Sequence, residues 1–362
     1  MKGFTTEEAA KLLGKSTRTL RRWKSSGKLE PNLKIGHPGR GKCDIYDFDD
    51  LKRVTPTKRV TPTILDWFDV EKFPMNVRLD SIVSPNDKLT RNLFNLPADE
   101  YFDALQKGIS IAVTETTIRG KKIQTHFKLN GGGLAALRRP FNEYDRTIFD
   151  VCNSAREAKF IGITRDSLFR AVIGGKTNQY PRPNQANAIL ESLKRLMTVI
   201  EVDFSQARDK MPKYNSVKPI LISPILPCRI LHNVLVNGQL TSIIKFTDES
   251  PLMTIARAKK QIITYSVKLR DIAGQNNTTL VIIIKSYVIR RVLEIIAHNM
   301  TPTITFEDLF RHCELFNATR KQQQDARKIV LNVMNNLQSK GVIKSFEIIK
   351  KSNIYYGVSI TF

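Results

Sequence analysis

The chain has 362 residues, of which 58 are Lys or Arg and 34 Asp or Glu, giving a formal net charge of +24. Its 41% hydrophobic content is enough for real cores, so general disorder is excluded and two or three domains of ~100–200 residues are expected. Charge of one sign on this scale calls for a polyanionic partner, nucleic acid or an anionic membrane. The longest apolar run, Leu280 to Ile284, is stopped by Lys285, Arg290 and Arg291, far short of the ~20 residues of a spanning helix, which leaves nucleic acid.

The first elements lie in the most basic part of the chain, where residues 1–62 hold 15 Lys or Arg and 7 Asp or Glu. Thr5 followed by Glu7 and Glu8 predicts a helix N-terminus, because a threonine hydroxyl accepts from free backbone N–H groups and acids suit the positive end of the helix dipole. Ala9, Ala10, Leu12 and Leu13 supply its buried face, and Gly14 ends it. Ser16 then caps a second helix, Thr17 to Ser25, in which Leu20 and Trp23 pack inward and Thr17, Arg18, Arg21, Arg22 and Lys24 stay outside. Two short helices across a glycine turn make a helix-turn-helix.

Over roughly residues 3–53 the run AAKLLGKSTRTLRRWKSSGKLEP, followed by GHPGRGKCDIYDFDDL, resembles the MerR-type and excisionase-like DNA-binding domains. Trp23, Gly27, Leu29, Pro31 and Tyr46 fall in the family's order. The resemblance implies that the second helix enters the major groove and that a wing lies on the backbone. By position, Thr17, Arg18, Arg21, Arg22 and Lys24 then face DNA, with Arg40 and Lys42 on the wing. Arginine suits the task, since it bridges O6 and N7 of guanine while Lys and Thr mainly anchor phosphates.

MerR regulators carry a coiled-coil helix and effector site after this head, and here a linker stands in their place. KRVTPT occurs twice in tandem, Lys52 to Thr57 and Lys58 to Thr63, and its prolines and β-branched residues without core periodicity predict an extended segment. Residues 64–140 mix acidic and apolar stretches around Gly131, Gly132 and Gly133 and are assigned to a connecting module.

From Phe141 the pattern is regular. Helices are predicted at Asn142 to Ala158, Thr164 to Ile173 and Asn184 to Met197, then an alternating strand at Val199 to Phe204. Arg229 to Val236 and Gln239 to Phe246 flank Asn237-Gly238, a strong hairpin signal, and Pro251 to Gln261 is predicted as a connecting helix. The order then recurs: helices at Ile282 to Asn299, Thr305 to Cys313 and Thr319 to Ser339, a stop at Gly341, and strands at Val342 to Ile349 and Ile354 to Ile360. Three helices followed by a hairpin is the order of a winged helix.

Residues 141–362 resemble plasmid-type replication initiators built from two consecutive winged helices, on the patterns NEYDRTIFDVC, ANAILESLKRLM, LVNGQL and GVIKSFEIIKKSNIYYGVSI. In such domains the third helix reads the groove and the wing lies on a neighbouring phosphate. For the first copy this implies contacts from Lys176, Arg182, Gln185 and Asn187. For the second it implies Arg320, Lys321, Gln324 and Arg327 on the helix, with Lys350 and Lys351 at the wing tip.

Catalytic patterns do not fit. Gly174-Gly175-Lys176-Thr177 resembles the end of a phosphate-binding loop, but Arg170 stands where GxxxxGK[ST] requires glycine and a helix precedes it rather than a strand. Tyr355 and Tyr356 lack the paired histidines of a rolling-circle nickase, and His298 lacks the arginine spacing of a tyrosine recombinase. No serine recombinase module follows the linker. Cys43, Cys152, Cys228 and Cys313 are dispersed, and so are the five histidines, so no disulfide framework or metal site is expected. Met1 to Gly14 has no apolar signal region.

The sequence therefore predicts an α+β, multidomain protein: an N-terminal winged helix-turn-helix (1–51), a linker (52–63), a connecting module (64–140) and two C-terminal winged-helix domains (141–262 and 263–362). The expected function is non-enzymatic, sequence-specific binding of double-stranded DNA by a plasmid or mobile-element replication initiator, with a transcriptional regulator or the targeting part of a recombinase as alternatives. Expected partners are duplex DNA, host helicase or initiator proteins and a second copy of the chain. No cofactor, metal or membrane is expected, and the location expected is cytoplasmic.

Overall fold

The structure is a computed structural model that describes residues 4–13, 15–26, 29, 31, 33–36, 42–46, 76–94, 111–118, 121–127, 141–175, 179–203, 220–236, 239–272, 274–315, 317–351 and 354–362. It is mixed α+β, in two compact units, residues 1–70 and 71–362. The KRVTPT linker lies outside the described residues.

In the first unit, helices α1 (Thr6–Leu12) and α2 (Thr17–Ser25) pack against a three-stranded antiparallel sheet in the order β1 (Phe4–Thr5), β3 (Lys42–Tyr46), β2 (Leu33–Gly36). The Glu8 carboxylate accepts from the Thr5 N–H at 2.9 Å, and the Glu8 N–H donates to the Thr5 hydroxyl at 3.3 Å, closing a reciprocal cap. Ser16 caps α2 by accepting from the Thr19 N–H at 3.2 Å. Ala9, Ala10, Leu20, Leu29 and Tyr46 are buried together, with Phe4, Leu13 and Trp23 packed on their rim. Full burial of a leucine such as Leu20 stabilises by roughly 1.5–3 kcal/mol, so this small core depends on a few side chains.

The second unit repeats one connectivity. Its first copy runs α4 (Glu143–Glu157), β7 (Gly162–Thr164), α5 (Arg165–Ile173), α6 (Pro183–Leu196) and the hairpin β10 (Cys228–Val236) and β11 (Gln239–Phe246). Its second copy runs α8 (Thr279–His298), β13 (Thr303–Thr305), α9 (Phe306–His312), α10 (Arg320–Ser339) and the hairpin β14 (Ser345–Lys351) and β15 (Ile354–Thr361). Each short strand pairs with the second hairpin strand, giving the orders β10-β11-β7 and β14-β15-β13. Close approach at Gly357 allows this in the second copy, where a Cβ would lie 2.4 Å from the Ile304 carbonyl oxygen.

Several elements depart from expectation. The predicted strand after α6 is present as β8 (Val199–Asp203), but it joins a separate four-stranded sheet, in the order β5 (Ile111–Ile118), β6 (Lys121–Phe127), β8, β9 (Ile220–Pro224). The first copy thus carries an insertion between its third helix and its hairpin. The connecting helix α7 is shorter than predicted, Pro251–Ala258, and β12 (Ile262–Ser266) follows it, pairing antiparallel with β4 (Ser81–Pro85). Residues of the connecting module therefore supply three strands, β4, β5 and β6, and helix α3 (Lys88–Leu93) to this unit. The last hairpin begins at Ser345 instead of Val342, because Ile343 is buried ahead of the strand.

One continuous apolar cluster runs through both copies, from Ile148 and Val151 of α4 to Ile284 and Val288 of α8 and Val330 and Val333 of α10. α4 lies at its centre, and its polar residues from Glu143 to Ser154 are buried as well. Asp145 takes the Arg195 guanidinium of α6 at 2.6 Å, and Glu143 pairs with Arg290 of α8, which also holds Glu294 at 3.1 Å. Arg146 donates to the Pro85 carbonyl at 2.7 Å. These buried pairs join helices from both copies, and removing one partner of such a pair typically costs ~3–5 kcal/mol because the other charge is left without compensation. Among the described residues no helix is long and apolar enough to cross a membrane.

Candidate nucleic-acid interface

In the first unit the sequence dictates which face of α2 is free. Leu20 and Trp23 turn into the core, and Arg18, Arg21 and Arg22, at spacings of three and four, fall together on the opposite side of the helix. All three are exposed, and among the described residues none is in an ion pair. Thr17, at the first turn, is half-buried. Lys24 differs from expectation: it is half-buried and pairs with Asp44 of β3, which neutralises its charge and ties the end of α2 to the sheet. Lys42 lies on β3 opposite Gly36, and Arg40 lies outside the described residues.

In the first copy of the second unit, Lys176 is also outside the described residues. Arg182 and Asn187 are exposed at the start of α6. Gln185 is occupied: its Oε1 accepts from the Arg182 N–H at 2.8 Å and its Nε2 donates to the Asn277 carbonyl at 2.5 Å. It caps α6 and fixes it to the segment before α8, so both ends of its amide are used. Farther along, Lys194 pairs with Glu191 at 2.7 Å, leaving α6 weakly cationic. Gly174 closes α5 in a left-handed conformation, φ 118°, with its Cα against the backbone of Asp271. The glycine pair therefore ends a helix, the reverse of a phosphate loop that opens one.

The second copy gathers more. Thr319 and Gln322 cap α10 reciprocally, and Val330, Val333, Met334 and Leu337 hold its inner stripe. That places Arg320, Lys321 and Gln324 in solvent at the N-terminal end. Arg327 lies half-buried with its guanidinium 5.5 Å from the ring centres of Phe306, Phe310 and Tyr355. It joins α9, α10 and the β14–β15 hairpin through cation–π contact, a packing role that the expectation of a DNA contact did not include. The signal was present as Phe306 and Phe310 at i and i+4 on α9, but their meeting with Arg327 and Tyr355 is tertiary. On the β14–β15 hairpin, Lys350 stands 4.9 Å over Tyr355 and Lys351 3.6 Å over Tyr356, both lysines exposed. Tyr355 and Tyr356 thus serve as rests for cations.

Between the copies lies a cavity of about 720 Å³, bordered by Arg78, Arg170, Tyr180, Lys268, Asp271 and Lys340. Lys340 bridges the carbonyl oxygens of Lys268 and Asp271, and Arg170 donates to Asn76 at 3.1 Å and to Ser167 at 2.9 Å. Cys152, Cys228 and Cys313 are buried free thiols, and burial pushes the Cys228 thiol up to about 12, so it stays protonated and unreactive. Among the described residues no group of three or more His, Cys, Asp or Glu side chains is placed to hold a metal ion. No protein-family model, curated protein or solved structure matches the chain.

Proposed function

We propose that the chain is a non-enzymatic, sequence-specific double-stranded DNA-binding protein that acts as a replication initiator of a plasmid or other mobile element. The observation that carries this reading is the recurrence of one connectivity, helix, short strand, two helices and hairpin, with strand orders β10-β11-β7 and β14-β15-β13. We read each copy as a winged helix, in which the third helix addresses the major groove and the hairpin a flanking backbone. The exposed Arg18, Arg21 and Arg22 on the second helix of the N-terminal unit add a third reader, and the net charge of +24 supplies phosphate attraction.

On this reading the readers bind repeated origin sequences, the duplex is distorted at a cost of ~1–6 kcal/mol met by the added contacts, and a host helicase is recruited. Selection of bound duplexes from a random 30-base-pair pool tests the binding step, with an enriched motif as the expected result. Deleting the gene from a minimal replicon tests initiation. Replication should cease; continued replication would leave a regulator of transcription as the better reading.

A further inference from the structure

The hairpin of β14 and β15 exposes an isoleucine at the start of its second strand. Ile354 is 69% exposed, the highest value among the exposed large hydrophobic side chains of the described residues. It opens β15 and pairs with Lys351, while Val358 and Ile360 farther along the strand are buried in the core.

What surrounds Ile354 is cationic. Lys350 and Lys351 lean on the rings of Tyr355 and Tyr356, Arg327 stands behind Tyr355, and among the described residues neither lysine forms an ion pair. Glu347, also exposed, lies on β14 four residues before Lys351. Ile354, cross-strand from Lys351, and Tyr355, 44% exposed beneath Lys350, offer too little apolar surface for a stable protein interface, which needs about 1,000 Å². Ile354 does match the apolar wedges that groove-binding proteins insert between base pairs, held in place by flanking cations on the phosphates.

We propose that Ile354 is such a wedge: on binding duplex DNA it enters a base step, unstacks it and kinks the helix, with Lys350 and Lys351 on the adjoining phosphates. This rests on the reading of the chain as a duplex-binding protein and assigns the distortion step to one side chain. Pyrimidine–purine steps, which unstack most easily, are the expected point of entry.

The test uses the full-length protein and the duplex it selects from the random pool, with 2-aminopurine replacing single adenines and dyes at both ends. Wild type should brighten 2-aminopurine at one step and shorten the end-to-end distance, consistent with a kink of roughly 20–90°. Ile354→Ala should still bind at saturating protein but leave the step stacked and the duplex straighter, and Ile354→Phe should restore both signals. Unstacking that persists in Ile354→Ala overturns the wedge while leaving duplex binding intact, as does an Ile354→Ala protein altered only in self-association by sedimentation. A protein that selects no duplex overturns the binding reading and the wedge together.

Discussion

Asp150 lies wholly inside the second unit, and desolvation pushes its carboxyl up to about 6, against the opposing pull of Arg146, Ser84 and Arg270 and with a small addition from Glu294. Its pKa in the unfolded chain is ~3.9, so between about pH 4 and 6 the folded state holds a proton that the unfolded state has lost. Stability from this group is therefore greatest at the acid end and falls as pH rises through 6, by about 3 kcal/mol in all. Asp150→Asn, which keeps the shape without the charge, should flatten this slope and raise stability near pH 7.5. Urea midpoints from pH 4.5 to 7.5 measure it, and an unchanged slope would refute the assignment. Arg327 makes a second residue-scale case. Arg327→Ala should lower stability by on the order of 1–3 kcal/mol through lost packing on three rings, while the selected DNA motif stays the same. A changed motif with unchanged thermal stability would mean that Arg327 reads bases.

At the scale of elements, the proposed function gives α2 and the last hairpin different work on DNA. Arg21→Ala or Arg22→Ala should cost ~1–3 kcal/mol and relax preference at one base pair, because a bidentate contact to guanine is lost. Lys350→Ala with Lys351→Ala should weaken all sequences alike and reduce the slope of log affinity against log salt by about 2, one for each phosphate contact. Titrations at several salt concentrations separate the two effects, and a loss confined to one sequence would contradict the phosphate role. These elements were legible because their signals are local: Ser16 before Leu20 and Trp23, Thr319 before the Val330 and Val333 stripe, Asn237-Gly238 between alternating strands. The strands Gly162–Thr164 and Thr303–Thr305 were not, since three residues carry no period and each takes its partner from a distant hairpin. Likewise NEYDRTIFDVC looks like a helix with a solvated face, yet Glu143, Asp145, Arg146 and Asp150 are buried by partners from α6, α8 and β4.

At the scale of the molecule, the mixed α+β class follows from the sequence pattern, and the charge points to a polyanion. The joining of β8 to β6 in the β5-β6-β8-β9 sheet and the pairing of β4 with β12 are long-range, and no local pattern announces them. The buried ion pairs around α4 and the shared apolar cluster bind the two copies into one core, so the second unit should unfold in a single transition. On the proposed function, this core presents repeated readers to repeated DNA sites. Footprinting the full-length protein on the DNA flanking its own gene is the decisive measurement. Several protected repeats of one motif, with enhanced cleavage at a distorted step, are the expected result. Absence of protection, or one protected operator overlapping a promoter, would contradict it.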